Sequence, residues 1–457
     1  MYTRRKPRPL PLLRFAWSTL AIGLATTLPT FPARGATGQQ PTPDNGPAPS
    51  GVHFSGVPLA RPAHDLSAAA ERLYEAWNPL GDFDNEFYTL FKYSRLGGIG
   101  KDAAVSRRDP SKVIRVGGKY YVYYTRRKTA LPPVGLSNYT DATPDDVPAW
   151  DWDLADIYYA TSTDGFDWQE QGAAVKRSRQ AGYADRSLST PDILCFGGKY
   201  YLYFQAFTGR FSQAAGDRSD VGMAWADSPD GPWRMIGRPV IKPGPSGAWD
   251  ASAIHDPYPI VYNGQIWMYY KSDVWLEDPR GAPVESLVDA EPRAGRDIHR
   301  MHGVAIADAP EGPFRKSPLN PISNSGHETT LFPYRAGVAS IIIRDGPERN
   351  TIQYAPDGLN FQIVAHVERP PVAGGPYCAD AFTDSGDGRG VAWGLSHIVG
   401  SGNGFLVRFD CDLHRDIDHP YLKRGSVTPD ESLHFESHGT LPQSLRKQYS
   451  REALSGS

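Results

Sequence analysis

Five short stretches of the chain place an acidic residue at the mouth of a strand-like run. They are Arg108-Asp109-Pro110, Thr190-Pro191-Asp192, His255-Asp256-Pro257, His327-Glu328-Thr329 and Asp380-Ala381-Phe382. Carboxylates brought together raise one another's pKa, so one can hold a proton while another stays ionised. Glycoside hydrolysis needs that division of labour, with an acid at the leaving oxygen and a base or nucleophile on the opposite face. A ring of acids can equally bind a cation, so the bare pattern supports two chemistries. It also has a plain backbone reading. Proline lacks an N–H and favours extended geometry in the residue before it, so Asp-Pro opens strands without any chemistry. That reading serves for one aspartate but not for five in the same place. His327 beside Glu328 is the most unusual of these sites. Neighbouring acids favour a cationic imidazole, the state of a general acid near neutral pH; the alternative is a turn histidine held by structural hydrogen bonds. Trp152 lies on a loop and can stack on a sugar face, although tryptophan more often packs in a core.

The elements that carry these residues repeat. The first unit runs from Asp109 through the Gly117-Gly118 hairpin turn to Lys119–Thr125 and then Asp156–Trp168. The second opens at Thr190-Pro191-Asp192, turns at Gly197-Gly198 and returns through Lys199–Gln205. The third opens at His255-Asp256-Pro257, turns at Asn263-Gly264 and returns through Ile266–Lys271. The fourth opens at His327-Glu328 and returns at Ala339–Arg344; the fifth opens at Asp380 and returns at Gly390–Ser396. Each holds about four short β-branched and aromatic runs with tight turns, the content of a propeller blade. The expected fold is all-β: a five-bladed β-propeller over 105–413, with the opening acids at one end of its channel.

Outside the repeat, residues 1–35 hold six Arg or Lys and no acid around a short apolar run, and Ala33-Arg34-Gly35 offers a cut site. This predicts an export signal followed by a flexible linker at 36–60, hence a periplasmic or extracellular protein free of the membrane after cleavage. The formal charge of −3 then leaves about −9 on the remainder, which argues against a nucleic-acid partner. Residues 64–77 read as an amphipathic helix within a 61–104 segment, its apolar face buried on its own domain or on a partner subunit. Cys195, Cys378 and Cys411 provide neither a disulfide framework nor CxxC spacing. No metal ligand set is apparent and no cofactor is required, although the acids could hold a divalent cation in the channel. A polar insert at 275–300 and a C-terminal extension at 414–457 complete the chain.

Several longer motifs match in order. Ser106-Arg107-Arg108-Asp109-Pro110-Ser111, Trp152-Asp153-Leu154-Ala155-Asp156-Ile157, Ser252-Ala253-Ile254-His255-Asp256-Pro257-Tyr258-Pro259 and Asn324-Ser325-Gly326-His327-Glu328-Thr329-Thr330-Leu331-Phe332-Pro333 resemble those of glycoside hydrolase family 117, the α-1,3-neoagarooligosaccharide hydrolases. The resemblance runs from about 64 to about 413 and takes in Trp393-Gly394-Leu395-Ser396-His397. It implies an exo-hydrolase that releases 3,6-anhydro-L-galactose from the non-reducing end of neoagarooligosaccharides with inversion. By motif, Asp109 resembles the general base, Asp256 the carboxylate that tunes and orients the acid, and His327 the proposed general acid, with Glu328 beside it. Arg108, Trp152, Asp192, Gln205 and His255 look like sugar contacts. Ser67, Ala69 and Arg72 match a Ser-x-Ala-x-x-Arg motif exchanged between subunits, which implies a homodimer. The alternatives are a related hydrolase acting on another anhydro-sugar or on an arabinose- or xylose-containing glycan, and a catalytically silent sugar-binding propeller.

Overall fold

The return strands explain the architecture. In Lys119–Arg127, alternate side chains point to opposite faces of the sheet, and both faces are apolar. Tyr121 and Tyr123 pack with Ile193, Leu202 and Phe204 of the second unit, while Val122 and Tyr124 pack with Trp393, Leu395 and Leu406 of the fifth. A strand covered on both faces reads as a continuous aromatic and β-branched run. The same arrangement recurs. Tyr201 and Tyr203 meet Val261 and Ile266, Trp267 and Tyr269 meet Val338 and Phe361, and Ala339 and Ile341 meet Val391 and Phe409. The apolar clusters thus link each unit to the next and return from the fifth to the first.

The structure, a computed structural model, describes residues 63–72, 86–128, 131–135, 138–178, 180, 182–211, 218–245, 248–274, 299–377, 388–399, 403–417, 419 and 422. The leader, the linker, Asp380, Cys378, all but the end of the 275–300 insert and residues 423–457 lie outside it. Among the described residues the chain is almost wholly β, and no helix is long and apolar enough to cross a membrane. Every strand pairing is antiparallel. The first sheet holds Ser106–Arg108, Ile114–Val116, Lys119–Arg127, Asp156–Ser162 and Trp168–Val175; the second runs Ser187–Phe196, Lys199–Phe207, Ser219–Ala226, Arg234–Met235. The third runs His255–Tyr262, Gln265–Val274, His299–Ala307, Arg315–Lys316. The fourth and fifth units, built on Thr330–Arg335 and on Gly375–Tyr377 with Gly388–Ile398, join through Tyr334↔Arg389 and Arg335↔Gly388.

The innermost strands share one irregularity. The ladder jumps from Ser189↔Gln205 to Asp192↔Tyr203 and from His255↔Lys271 to Tyr258↔Tyr269, a β-bulge that leaves two residues unpaired. In each bulge the first unpaired residue has positive φ: Asp109 at 51°, Thr190 at 47°, Asp256 at 49°, Glu328 at 56° and Ala373 at 47°. Pro110, Pro191 and Pro257 fill the second position, where no ladder N–H is needed. Two expectations are corrected by this register. The residue of the second unit equivalent to Asp109 is Thr190, with Asp192 two residues further on. The fifth unit opens at Ala373 rather than at Asp380, because Val372 accepts the ladder bond of His397 and Gly375 pairs with Leu395. Among the described residues, three carboxylates, Asp109, Asp256 and Glu328, occupy the left-handed positions.

Of the helix expected over 64–77, residues 64–67 are not helical, Ala68–Arg72 is, and residues 73–77 lie outside the described residues; Lys92–Arg95 is a strand paired with Phe405–His414 of the fifth unit. Asp192 is instead a buried anchor. It takes the Lys112 ammonium and the Lys112 and Ile193 N–H groups, and Lys112 also donates to Pro259 O and lies 4.0 Å over the Tyr258 ring. That one side chain ties three units together. Removing one partner of a buried ion pair leaves an uncompensated charge, so Lys112→Met should cost about 3–5 kcal/mol. Lys112→Met/Asp192→Asn should recover most of it; denaturant unfolding measures both, and a loss under about 1 kcal/mol would show that the pair is dispensable.

Candidate active site

The five left-handed residues and those after them line one cavity of about 30 Å³ at the centre of the ring, room for about one or two waters. Left-handed geometry at non-glycine positions is uncommon, and β-branched Thr190 is a genuine outlier. Such strain clusters where function over-determines the backbone. Here it turns Asp109, Asp256 and Glu328 toward a common space from the first, third and fourth units.

Asp109 is buried and fully engaged. Arg108 Nε donates to both its oxygens at 3.1 and 2.9 Å, and Thr125 Oγ1 donates to Oδ2 at 3.0 Å. His397 Nδ1 lies 3.0 Å from Oδ1 and 3.0 Å from the Asp109 backbone N. Burial alone would push this carboxyl up; the Arg108 guanidinium and His397 outweigh it and hold it below its usual value. Arg108 Nη2 also donates to Glu328 Oε1 at 3.0 Å, so one guanidinium bridges the two carboxylates. Burial opposes ionisation of Glu328 as well, but His327, His397, Arg344 and Arg108 keep it well below the ordinary range. Asp256 sits 2.7 Å from Lys271 Nζ. At neutral pH all the anions here have cationic partners.

His327 is held by Asp345, whose Oδ2 is 3.1 Å from Nδ1, and its Nε2 is 3.9 Å from Glu328 Oε1. Arg300 in turn donates to Asp345 at 2.5 Å and to Asp273 at 3.0 Å. The expectation that neighbouring acids keep His327 cationic is corrected. Burial, Arg300 and Lys271 push its pKa down to about 4, against the upward pull of Glu328 and Asp345. The free imidazole is neutral at pH 7.

The loop bearing His327 rests on the N-terminal helix. Ser67 Oγ caps that helix at Ala70 N and donates to Pro321 O at 2.6 Å. Asn324 Nδ2 donates to Ala69 O, and Arg72 grips Glu348 with two hydrogen bonds of 2.5 and 3.1 Å. Glu348 also accepts from Asn324 and Gln353. Ser67, Ala69 and Arg72 thus dock on the same chain, behind His327.

Among the expected sugar contacts, Arg108 lies in the site itself. Gln205 Nε2 is 2.5 Å from His255 Nδ1, on strands next to the channel, and the Nε2 of His255 is buried without a hydrogen-bond partner. Trp152 stacks on Phe207 at 4.7 Å and near Trp150 at 6.1 Å, two residues up the return strand from Gln205. Asp192 lines the cavity while its carboxylate is engaged by Lys112. Sequence reasoning did not single out His397, Lys271, Arg300, Arg344 or Asp345. Two of these, Lys271 and His397, follow the same return-strand register as Thr125 and Gln205, a signal available once the bulges are aligned. Asp109, Glu328 and His397 offer ligand atoms within 4.8 Å of one another, the spacing of a cation site. The guanidinium of Arg108 already supplies the positive charge between the first two.

A model of the glycosyl hydrolases family 43 matches residues 104–282. Zg3597, a family 117 glycoside hydrolase produced by the marine bacterium Zobellia galactanivorans, is similar at 47% identity and a TM-score of 0.68, over 77% of this chain and 98% of that one. The solved complex of BT0996 with RGII is similar in fold alone, at 13% identity and a TM-score of 0.51 over 71% of this chain and 92% of that one. No curated protein matches the chain.

The neutral state of His327 can be read directly. Its imidazole C–H resonance, assigned by its loss in His327→Asn, should titrate with a midpoint of about 4. A midpoint above 6 would overturn the electrostatic account of Arg300 and Lys271.

Proposed function

This protein belongs to glycoside hydrolase family 117, and on that premise we propose that this glycosidase is an exo-acting, inverting enzyme that cleaves the α-1,3 bond of neoagarooligosaccharides to release 3,6-anhydro-L-galactose. The observation that carries this reading is the convergence of ionised Asp109 and Glu328 on one cavity, with His327 Nε2 3.9 Å from Glu328 and every carboxylate matched by a cation. A site so balanced suits a neutral sugar better than an anionic one. In the proposed fold the five units form a five-bladed propeller, so acid and base come from different blades.

In this mechanism Asp109 takes a proton from water as the water oxygen bonds to the anomeric carbon, and the bond to the leaving oxygen breaks from the opposite face. His327, once protonated to the imidazolium, gives its Nε2 proton to that oxygen. Glu328 lies between the two groups, and its negative charge favours the imidazolium when it forms. Asp256, fixed by Lys271, supports the acid side from the third blade. Inversion requires room for the water, an acid-to-base separation of about 6.5–9.5 Å with substrate bound. Export, and a homodimer in which the Ser67–Arg72 segment is exchanged so that it docks on the partner chain in place of its own, belong to the same proposal.

Incubation with neoagarobiose, followed by NMR, should show anhydrogalactose appearing first as the inverted anomer. Absence of that product would overturn the substrate. Asp109→Asn should lower kcat by about 10³-fold or more with KM within a few-fold, because it removes the base and keeps the shape; near-normal turnover would remove Asp109 from the mechanism. An acid whose pKa in the free protein is about 4 leaves kcat/KM falling as pH rises from 5 to 8. A flat profile over that range would exclude His327 as the acid.

A further inference from the structure

The first sheet carries a second concave site, at the end of its strands away from Asp109. Lys119 lies on the same strand as Thr125, which holds Asp109, but six residues earlier, a span of about 20 Å. At that far end Tyr120 pairs with Ser162, and Ser162 with Trp168. The segment before the first unit closes one side: Gly97 N donates to Phe166 O at 3.1 Å, and Trp168 N to Gly97 O at 3.2 Å. Glycine is needed there. A Cβ at Gly97 would collide with Asp167 Oδ1, and one at Gly98, where φ is 77°, with Trp168 O. The cavity so formed measures about 350 Å³, within the range of small-molecule sites. Lys119, Thr163, Asp167 and Gln169 line it with exposed side chains, and none of the four has a hydrogen-bond or ion-pair partner among the described residues. Trp168 forms part of the wall, and its indole Nε1 is buried without a hydrogen-bond partner. Buried polar atoms are rarely left so. The turn bearing Thr163 and Asp167 is set in advance, because Asp164 Oδ1 accepts from Phe166 N and Asp167 N at 2.8 and 2.9 Å. Phe166, on that turn, has Arg408 4.2 Å over its ring and is still 42% exposed.

We propose that this cavity is a second, non-catalytic binding site for a neutral oligosaccharide, and for the choice of sugar it rests on the substrate reading above. The charges decide against other ligands. An anion would meet the unpaired Asp167 carboxylate, and a cation the unpaired Lys119 ammonium. A neutral ligand rich in hydroxyls satisfies both. The carboxylate accepts from neighbouring hydroxyls, the ammonium donates to hydroxyl or ring oxygens, and the Gln169 amide does each. Phe166 offers an apolar surface at the edge for the C–H face of a sugar ring. Both the turn and the aromatic ring are held before the ligand arrives, which lowers the cost of ordering them. A chain bound about 20 Å from the catalytic cavity leaves that cavity free, and it keeps further chain ends at raised local concentration around the enzyme.

Calorimetric titration with neoagarohexaose tests the site. The protein is Asp109→Asn, so that bound sugar is not consumed, beside Asp109→Asn/Asp167→Ala/Gln169→Ala. Both added replacements are at exposed, unpaired side chains; Asp109→Asn/Thr163→Trp, which narrows the cavity instead, serves if the first variant melts early. Two sugars should bind each Asp109→Asn chain, and the added replacements should weaken one of the two sites about tenfold or more while leaving the other unchanged. Equal stoichiometry and affinity in the two proteins would overturn the second site. A single bound sugar that the added replacements abolish would support the second site and overturn the substrate reading of the catalytic cavity. A single bound sugar that survives them would do the reverse. If only an arabino- or xylo-oligosaccharide binds, the substrate reading fails, and the same comparison on that sugar judges the second site. No binding of any of these sugars overturns both.

Discussion

The bulge at the head of each inner strand is the constraint on which the site depends. A regular strand would alternate its side chains between the two neighbouring units, and Asp109, Asp256 and Glu328 would be buried in apolar interfaces. The left-handed residue breaks that alternation and turns one side chain per unit toward the axis. Each such residue costs about 1–2 kcal/mol against an ordinary backbone. The surrounding ladders hold them there: each bulge lies between hydrogen bonds of the inner and return strands, and Thr125 and Thr190 bond across the first two units, the Thr190 N–H donating to Thr125 Oγ1 at 2.7 Å. Repetition of the same strained conformation in five places, with only three acids, shows that the backbone came with the architecture and the chemistry was placed on it.

Burial then decides the electrostatics. In water the carboxylates of Asp109 and Glu328 would be screened and of ordinary strength. Here each is nearly dry, and desolvation by itself would favour its neutral form. Cations outweigh it: Arg108 for both, Arg344 and two histidines for Glu328. The same low dielectric works against His327, where Arg300 and Lys271 add to burial and leave the ring neutral. The arrangement therefore keeps Asp109 and Glu328 ionised and His327 neutral at the same pH.

Much of the fold was legible in the sequence, because strands buried on both faces leave an unmistakable trace. The Tyr-Tyr-Val-Tyr-Tyr run of Tyr120–Tyr124 and the glycine hairpins at 117–118, 197–198 and 263–264 mark inner and return strands directly. Asp109, Asp256, His327 and Glu328 were legible for a similar reason, as polar residues at fixed distance from those runs. The second and fifth units misled because the repeat was aligned on acidity. The physical invariant is backbone conformation, which Thr190 and Ala373 share with Asp109 and which no side-chain chemistry advertises. His397, Arg300, Asp345 and Arg344 were hidden because each reaches the site across units, from positions whose sequence neighbours are ordinary strand or turn residues. The strand Lys92–Arg95 was hidden by its polarity: it is an outer strand at the sheet's edge, half exposed, with no apolar pattern to announce it.

The distribution of the candidate site over the units gives the segments at both ends of the described chain a structural part in it. Asp109 comes from the first unit, Asp256 and Lys271 from the third, His327 and Glu328 from the fourth, and His397 from the fifth. No unit holds a working pair alone, and the Asp109–His397 contact exists only where the last unit meets the first. That junction is closed by Lys92–Arg95 adding to Phe405–His414 and by Leu96, Val113 and Val122 packing on Trp393 and Leu406. The loop of His327 is fixed by a segment still earlier in the chain, through Arg72, Glu348 and Asn324. Residues before the first unit therefore help to fix the surroundings of both Asp109 and His327 without lining the cavity.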